Sequence, residues 1–228
     1  MAISKPEVDA SNYFIDDNPT ATPKHGTTVQ SGWGAVAALA KPKREAGSYP
    51  TDFKVSETAR LIRFLEDDPF AVYKQHWVQL PTDSGTMAWR SYVCTGSDTP
   101  GQECPLCTIA GDMPRSKAAF NVLVVSDEEP TVQILHAPVT LARQLQAAHE
   151  DPRRGPLSKY YWAISRLGVG RETQYTIERV RPTELTDEWE LDAEELNAIA
   201  NSAVKYDASA IYVSPHEDMV QAARKLVG

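Results

Sequence analysis

The stretch YVCTGSDTPGQECPLC, residues 92–107, contains all three cysteines of this 228-residue chain. Cys94, Cys104 and Cys107 follow a C-x9-C-x2-C pattern. The two thiols of CPLC lie in a single tight turn and can bind the same metal ion. The loop has too few apolar side chains to be held in place by hydrophobic burial. A structural zinc ion requires four ligands in a tetrahedron, so the pattern predicts a zinc site that needs one further ligand.

Other interpretations of the cysteines fit the sequence less well. The N-terminus has no secretory signal and the number of cysteines is odd, so a disulfide is disfavoured. A redox Cys-x-x-Cys motif should open a helix within a β-α-β unit, whereas Pro114 and a further strand soon follow CPLC. A zinc deaminase is disfavoured because no His-x-Glu motif accompanies the cysteines. Ordinary buried thiols and a redox pair remain the alternatives to zinc.

Hairpin geometry favours His76 as the fourth ligand. FAVYKQHWVQL (residues 70–80) and TMAWRSYVC (residues 86–94) are rich in β-branched and aromatic residues and flank the turn-forming PTDSG. If His76 pairs with Tyr92, Cys94 lies one step further along the same face. His136, which follows a different strand, is the second choice among the five histidines. The predicted site is therefore a structural zinc held by His76, Cys94, Cys104 and Cys107.

The rest of the chain predicts strands around one internal helix. AAFNVLVVSD and TVQILHAP are further strands, YYWAISRLGVGRETQYTIERV is a second hairpin, and VTLARQLQAAHED has apolar residues at helical spacing. A few short strands with one helix suit a small β-barrel better than a parallel sheet. We expect a flexible arm and linker over residues 1–52 and a mainly β core over residues 53–182, with the zinc subdomain at about residues 92–117. An acidic helical region follows over residues 183–228.

The composition is that of a soluble globular protein, with 42% hydrophobic and 24% charged residues. No apolar run approaches the roughly 18 residues of a membrane helix, so we expect a cytoplasmic protein with no membrane partner. The net charge of −8 is concentrated in residues 182–228, which have three basic and ten acidic side chains. The rest of the chain is close to neutral, and a local basic face there can attract an anion.

Aromatic and basic residues interleave through the middle of the chain, as in YKQHW, WRSY and KYYWAISR. Single-stranded nucleic acid requires this combination, because bases stack on rings for roughly 1–3 kcal/mol each while Lys and Arg contact phosphates. Any one ring is better explained by core packing, and any one cation by an exposed surface position, so the prediction rests on the whole set. The residues predicted to contact DNA are Arg60, Arg63, Tyr73, Lys74, Trp77, Trp89, Arg90, Tyr92, Arg115, Lys117, Phe120, Tyr161 and Arg166.

The segments RFLEDDPFAVYKQHW, CTGSDTPGQECPLC and GDMPRSKAAFNVLVV together resemble the zinc-bearing core of phage single-stranded-DNA-binding proteins of the T-even helix-destabilising type. The resemblance covers about residues 53–182 and implies an OB-fold barrel with an inserted zinc subdomain. It carries the family's zinc ligands, one histidine and three cysteines, over to His76 and the three cysteines. It also implies self-association on DNA and contacts with replication or recombination proteins through the acidic C-terminal region.

The combined expectation is a protein that binds single-stranded DNA without sequence preference in phage replication, recombination or repair. Its location would be the host cell cytoplasm if a phage encodes it. We expect no enzymatic activity, because the sequence has no Walker-type glycine loop, no Gly-x-Ser-x-Gly elbow and no paired carboxylates at motif spacing. The main alternative is a zinc-stabilised protein-interaction module without nucleic-acid binding, and a thiol oxidoreductase or zinc hydrolase is a third.

Overall fold

The computed structural model of the protein describes residues 50–82, 84–96, 103–125 and 129–228. These residues belong to one compact unit that extends to Gly228. The predicted arm, residues 1–52, lies outside the described residues except for its last three positions. Of these, Asp52 forms an isolated parallel bridge with Ile134, and the Ile134 N–H donates to the Thr51 carbonyl at 2.8 Å. The sheet therefore begins slightly before the predicted boundary at residue 53.

Seven strands form one antiparallel sheet, which confirms the expectation of a mainly β structure. The order across the sheet is β3-β2-β4-β1-β6-β7, and β5 pairs with the remaining edge of β4. The strands are β1 (Arg60–Phe64), β2 (Ala71–Pro81), β3 (Met87–Val93), β4 (Arg115–Val124), β5 (Thr131–Pro138), β6 (Tyr161–Leu167) and β7 (Gln174–Val180).

Strands β1 and β2 run one after the other along the same edge of β4. Residues 71–75 of β2 pair with the first half of β4, and residues 62–64 of β1 pair with its last three positions. Between them, Pro69 has no N–H to donate to a sheet, which favours a break at this point. The far end of β2 extends beyond β4 and pairs with β3, so the β2–β3 hairpin projects from one end of the sheet.

Five α-helices lie in the described residues: α1 (Pro105–Thr108), α2 (Val139–Glu150), α3 (Pro182–Asp187), α4 (Ala193–Ser202) and α5 (His216–Val227). The internal helix predicted from VTLARQLQAAHED is α2, which buries Leu141, Leu145 and Ala148 in one stripe. No helix within the described residues combines the length and the apolar character required to cross a membrane.

The main core lies between the sheet and α2. Trp162 is fully buried, and its indole N–H donates to the Leu157 carbonyl at 2.9 Å, so the one polar atom of the ring is satisfied. Phe64 and Phe120 meet edge to face with ring centroids 5.6 Å apart. The large buried side chains of this core are Phe53, Ile62, Phe64, Phe120, Leu135, Leu141, Leu145, Leu157, Trp162 and Ile164.

The acidic C-terminal region folds back onto the sheet. Leu196 of α4 packs in a second apolar cluster with Leu61 and Leu123. The buried Asn121 side chain donates to the Tyr206 carbonyl at 2.8 Å and accepts from the Tyr206 N–H at 2.9 Å. Both faces of β4 are therefore covered, one by the main core and the other by C-terminal residues, and positions 118–124 of this strand are all buried.

Candidate functional site

Four potential metal ligands meet between the β2–β3 hairpin and α1. The ligand atoms of His76, Cys94, Cys104 and Cys107 all lie within 4.8 Å of one another. His76 stands opposite Tyr92, which is the register that hairpin geometry suggested. Cys94 therefore follows on the same face as His76, and its N–H donates to the Lys74 carbonyl at 2.8 Å.

The turn CPLC places Cys104 and Cys107 on the same side of a short helix. Pro105 is the first residue of α1, where the missing N–H costs nothing. The Cys107 N–H then donates to the Cys104 carbonyl at 3.0 Å, which closes the turn. The Cys104 N–H donates to the carbonyl of Gly96 at 2.9 Å, so the start of α1 is tied to the residues that follow Cys94.

The spacing of the donor atoms fits a tetrahedral zinc ion. His76 Nε2 lies 3.3 Å from Cys104 Sγ and 3.5 Å from Cys107 Sγ, and the sulfurs of Cys94 and Cys107 are 3.7 Å apart. Zinc–sulfur bonds of about 2.3 Å and zinc–nitrogen bonds of about 2.0 Å give tetrahedral edges of about 3.8 Å and 3.6 Å. The cysteines are free thiols, and a disulfide would require sulfurs about 2.05 Å apart. The four residues thus form a cluster that can hold a metal ion.

Asp112 orients the histidine and was missed by the sequence analysis. Its Oδ2 lies 2.6 Å from His76 Nδ1, so the ring presents Nε2 to the sulfurs. Gly111 has a φ of 65° in the left-handed region, which lets the chain reverse after α1, and the Asp112 N–H donates to the Leu106 carbonyl at 3.0 Å. A carboxylate on the outer nitrogen of a ligating histidine is a common feature of zinc sites. The dipeptide Gly-Asp just after CPLC was the available signal.

The pKa values of Cys104 and Cys107 indicate that a bound cation would stabilise the cluster. Burial raises the pKa of the Cys104 thiol, but hydrogen bonds from the N–H groups of Cys107, Thr95 and Leu106 and from the Cys94 thiol bring it to about 7. Burial, contact with Cys94 and the nearby negative charges raise the pKa of Cys107 to about 12. Adjacent thiolates repel one another, and a divalent cation removes this cost by binding them together.

The fifth helix covers the cysteine-bearing loop. Leu106 is fully buried, and it packs with Ala222 and Ala223 of α5 against Val78 and Leu80 of β2. We call residues 94–96 and 103–112 the knuckle, and this apolar group with Cys104 the knuckle cluster. The C-terminal helix and the possible metal site therefore form one packed assembly.

Alternation along β2 divides the predicted DNA-binding residues between two faces. Trp77 lies opposite Ser91, and its ring stacks on Trp89 with centroids 6.0 Å apart and an interplanar angle of 12°. These two rings are 53% and 55% exposed. Tyr73 and Gln75 share their face of β2 because residues two apart point the same way. We call this surface the aromatic face; it comprises Tyr73, Gln75, Trp77, Trp89, Ser91, Arg115 and Lys117.

Two predicted cations lie on this surface. Arg115 stands directly opposite Gln75 and is exposed, and Lys117 stands directly opposite Tyr73. Burial, followed by the charge of Arg115, lowers the pKa of Lys117. The other predicted residues of this hairpin, namely Lys74, Arg90 and Tyr92, alternate to the opposite face, where His76 and the knuckle lie.

Most of the remaining predicted residues make side-chain contacts within the fold. Phe120 and Tyr161 are each 5% exposed and belong to apolar clusters, so their rings are not available to bases. Arg63 donates to the Ser158 carbonyl, the Tyr161 hydroxyl and Asn197. The others are Arg60, whose guanidinium lies 4.9 Å from the Phe53 ring centroid, and Arg166, which is partly buried on β6.

A cavity of about 360 Å³ opens beside the stacked tryptophans. We call it the Trp77 groove; its lining includes Asp52, Lys54, Tyr73, Gln75, Trp77, Ser91, Val93, His136, Ile211 and Tyr212. At one end, the Tyr73 hydroxyl lies 2.7 Å from His136 Nδ1, and His136 Nε2 lies 3.0 Å from Asp52 Oδ1. Burial and the negative charge of Asp52 raise the pKa of Tyr73 to about 12, so this hydroxyl keeps its proton.

Comparisons of the chain with protein-family models, curated proteins and solved structures find no match.

Proposed function

We propose that this protein binds single-stranded DNA through the aromatic face and that a structural zinc ion holds the adjoining knuckle. The observation that carries the proposal is the exposed stack of Trp77 and Trp89. Tryptophan side chains contribute most to stability when they are buried, yet each of these two residues is more than half exposed to solvent. Such rings serve a ligand, and unpaired bases are flat surfaces that stack on them irrespective of sequence.

Cations next to the stack support a polyanionic ligand. Arg115 is exposed on the aromatic face, and Lys54 lines the Trp77 groove as an exposed side chain. Contacts of this kind with phosphates bring affinity and salt dependence but little sequence selection. The overall negative charge is no obstacle, because the acidic residues are concentrated in the C-terminal region.

The order of the strands supports an OB-like architecture. One long interrupted strand (β1 and β2) pairs with β4, β5 pairs with β4, the helix α2 follows, and β6 then returns to pair with β1 before β7. OB folds are five-stranded Greek-key barrels that bind oligonucleotides. Among the strand pairings of the described residues, closure of the barrel between β5 and β7 is absent.

Zinc is the metal that one imidazole and three thiolates favour in a tetrahedral arrangement. His76, Cys94, Cys104 and Cys107 would hold it. Four protein ligands leave no open position, so the ion would stabilise the knuckle and supply no catalytic chemistry. This arrangement fits a binding protein without enzymatic activity.

The resemblance to phage helix-destabilising proteins extends the proposal to phage DNA replication, recombination or repair. The C-terminal region would contact replication or recombination proteins, and copies of the protein would associate along the strand. Exposed acidic side chains on α3, α4 and the turn between them support the first of these roles: Asp187, Glu188, Glu190, Glu194 and Glu195.

Fluorescence anisotropy with labelled oligo-dT at low ionic strength tests the proposal. Trp77→Ala and Trp89→Ala should each weaken binding by about 1–3 kcal/mol, because one stacking surface is lost. Met113→Ala, which removes an exposed apolar side chain on the loop before β4, should bind like the unsubstituted protein. Absence of binding to oligo-dT at low salt would contradict the proposal and favour the protein-interaction module.

A salt titration gives a second readout of the same surface. Each phosphate contact should contribute about −0.7 to the log–log slope of affinity against salt concentration. Arg115→Ala should therefore flatten the slope by about that amount. Arg143→Ala on α2, also an exposed arginine, is the matched control and should leave the slope unchanged. Equal slopes for all three proteins would show that Arg115 makes no contact with a phosphate.

A further inference from the structure

We infer that the Trp77 groove takes one nucleobase of the bound strand and selects a base with an exocyclic amino group; this inference rests on the proposed function. Binding along the aromatic face would then be tolerant of sequence except at one position. The groove is a separate feature from the exposed stack, because it is a concave site with polar groups on its lining.

The size of the groove suits a single base. Its volume of about 360 Å³ is at the low end of the range of about 300–1,000 Å³ that small-molecule pockets occupy. Trp77, Tyr73 and Tyr212 supply aromatic surface to its walls. Trp89 stacks on Trp77, so the Trp77 indole is braced by a second ring where it borders the groove.

Two polar side chains beside Trp77 are ready to bind a ligand. Ser91 stands directly opposite Trp77, and Gln75 is the preceding residue on the same face of β2. Within the described part of the chain, neither the Gln75 amide nor the Ser91 hydroxyl makes a hydrogen bond. An amide offers a donor and an acceptor side by side, so the Gln75 amide can pair with the edge of any inserted base, and the choice between bases falls to the neighbouring Asp52 carboxylate.

At the end of the groove, Asp52 provides a hydrogen-bond acceptor, while His136 has no N–H left to donate to a base. Asp52 uses Oδ1 for His136 and keeps Oδ2 free to accept from a base amino group. Both ring nitrogens of His136 are engaged, one by Asp52 and one by Tyr73, so this ring cannot donate to a base carbonyl. Cytosine and adenine present an amino group next to a ring nitrogen, whereas thymine and uracil present a carbonyl that a carboxylate repels.

The strand itself would be held at the rim. Lys54 is exposed and lines the groove two residues from Asp52, where it can contact the phosphate of the inserted nucleotide. Its neighbourhood therefore combines one phosphate contact, one aromatic wall and one hydrogen-bonding edge, which are the three elements of nucleotide recognition in single strands.

Competition anisotropy with three twelve-residue oligodeoxynucleotides tests the inference: all deoxyuridine, deoxyuridine with one central deoxycytidine, and deoxyuridine with one terminal deoxycytidine. Cytosine and uracil differ only at the 4-amino position and the adjacent N3, so no methyl group complicates the comparison. The central deoxycytidine should tighten binding about fivefold or more, and the terminal one should give less, because the groove takes a base from within the bound strand.

Matched variants assign the effect to the groove. Asp52→Asn should reduce the ratio of the affinities for the central-deoxycytidine and the all-deoxyuridine oligonucleotides to about one, because a neutral amide can accept from an amino group or donate to a carbonyl. Asp68→Asn, which makes the same change of charge at an exposed position that does not line the groove, should keep the gain. A gain that persists in Asp52→Asn overturns the assignment to this groove.

The outcomes separate the two proposals. Equal affinity for the three oligonucleotides overturns the inference and leaves the proposed function standing. Failure to bind any of them overturns both. These comparisons use the unsubstituted full chain, so they decide the matter even if a variant folds poorly.

Discussion

The main core and the knuckle cluster are stabilised in different ways. The main core contains many large side chains that are fully buried, such as Trp162, Phe64 and Leu141, and each contributes roughly 1.5–3 kcal/mol. The knuckle cluster has one large side chain that is fully buried, Leu106. Val78 and Leu80 of β2 are nearly so, and the other buried members are Cys104 and two alanines of α5. Hydrophobic burial suffices for the sheet, whereas the knuckle has a cluster of four residues that can hold a metal ion, and we propose that it depends on that ion.

The largest expected effect comes from removing one ligand. In His76→Gln, the knuckle and α5 should lose protection against amide hydrogen exchange, while β4 and α2 stay protected, because structural zinc contributes up to about 10–16 kcal/mol in small modules. Peptide-resolved hydrogen exchange by mass spectrometry measures this difference. His149→Gln, a histidine outside the cluster, should exchange like the unsubstituted protein. Loss of protection throughout the sheet would show that the two regions are not separable.

A pair of large-to-small substitutions sharpens the comparison. Phe120→Ala should lower the free energy of unfolding by about 3–5 kcal/mol with or without a chelator, since its cavity lies in the main core. Leu106→Ala should lower the free energy of opening of the knuckle by about 2–5 kcal/mol only when metal is bound. Urea titration measures the free energy of unfolding of Phe120→Ala, and hydrogen exchange of α5 measures the free energy of opening of Leu106→Ala. Both measurements are made with and without chelator. A Leu106→Ala effect that survives chelation would mean that apolar packing alone holds the knuckle.

A smaller effect is expected from the carboxylate that orients His76. Asp112→Asn should weaken metal binding about 10–100-fold, because the hydrogen bond that fixes the ring is weakened. Competition with a chromophoric chelator measures the affinity. Asp187→Asn, an exposed carboxylate on α3, is the control and should not differ from the unsubstituted protein. Unchanged affinity in Asp112→Asn would show that packing alone positions the imidazole.

The smallest effect concerns pH and the main sheet. The hydrogen bond from His136 lowers the pKa of Asp52 below its ordinary value of 3.8. This hydrogen bond therefore stabilises the fold above about pH 4, and its contribution is lost as the pH falls through the lowered pKa of Asp52. Because the carboxylate is 58% exposed, Asp52→Asn should remove less than about 1 kcal/mol.

Urea unfolding at pH 5 and pH 3 checks this value. The unsubstituted protein should lose slightly more stability between these two pH values than Asp52→Asn does. Asp68→Asn, an exposed carboxylate on the loop before β2, should behave like the unsubstituted protein. Identical losses in Asp52→Asn and the unsubstituted protein would contradict the assigned pKa shift.

The hairpin was predictable because its information is local. Alternation along β2 and a turn-forming PTDSG determine which residues share a face, and the observed pairing of His76 with Tyr92 follows from them. The helix α2 was equally predictable from the sequence, since Leu141 and Leu145 fall at helical spacing. Asp112 was not predictable from spacing, because its role depends on the reversal of the chain at Gly111.

The exposure of the aromatic residues depends on contacts far along the chain. Phe120 was predicted as a DNA contact because it follows the basic residues Arg115 and Lys117, but its ring is buried in the main core. The other face of β4 is covered by C-terminal residues. The charge count described those residues as an acidic tail. It overlooked the apolar residues of α5, where Met219, Ala222 and Ala223 recur at intervals of three and four and are all buried.

Native mass spectrometry of the full chain, purified without chelator, tests the central claim most directly. The expected result is one zinc ion per chain, with Cys94, Cys104 and Cys107 resistant to alkylation until the ion is removed. A metal-free mass, together with rapid alkylation of all three thiols in the folded protein, would contradict it.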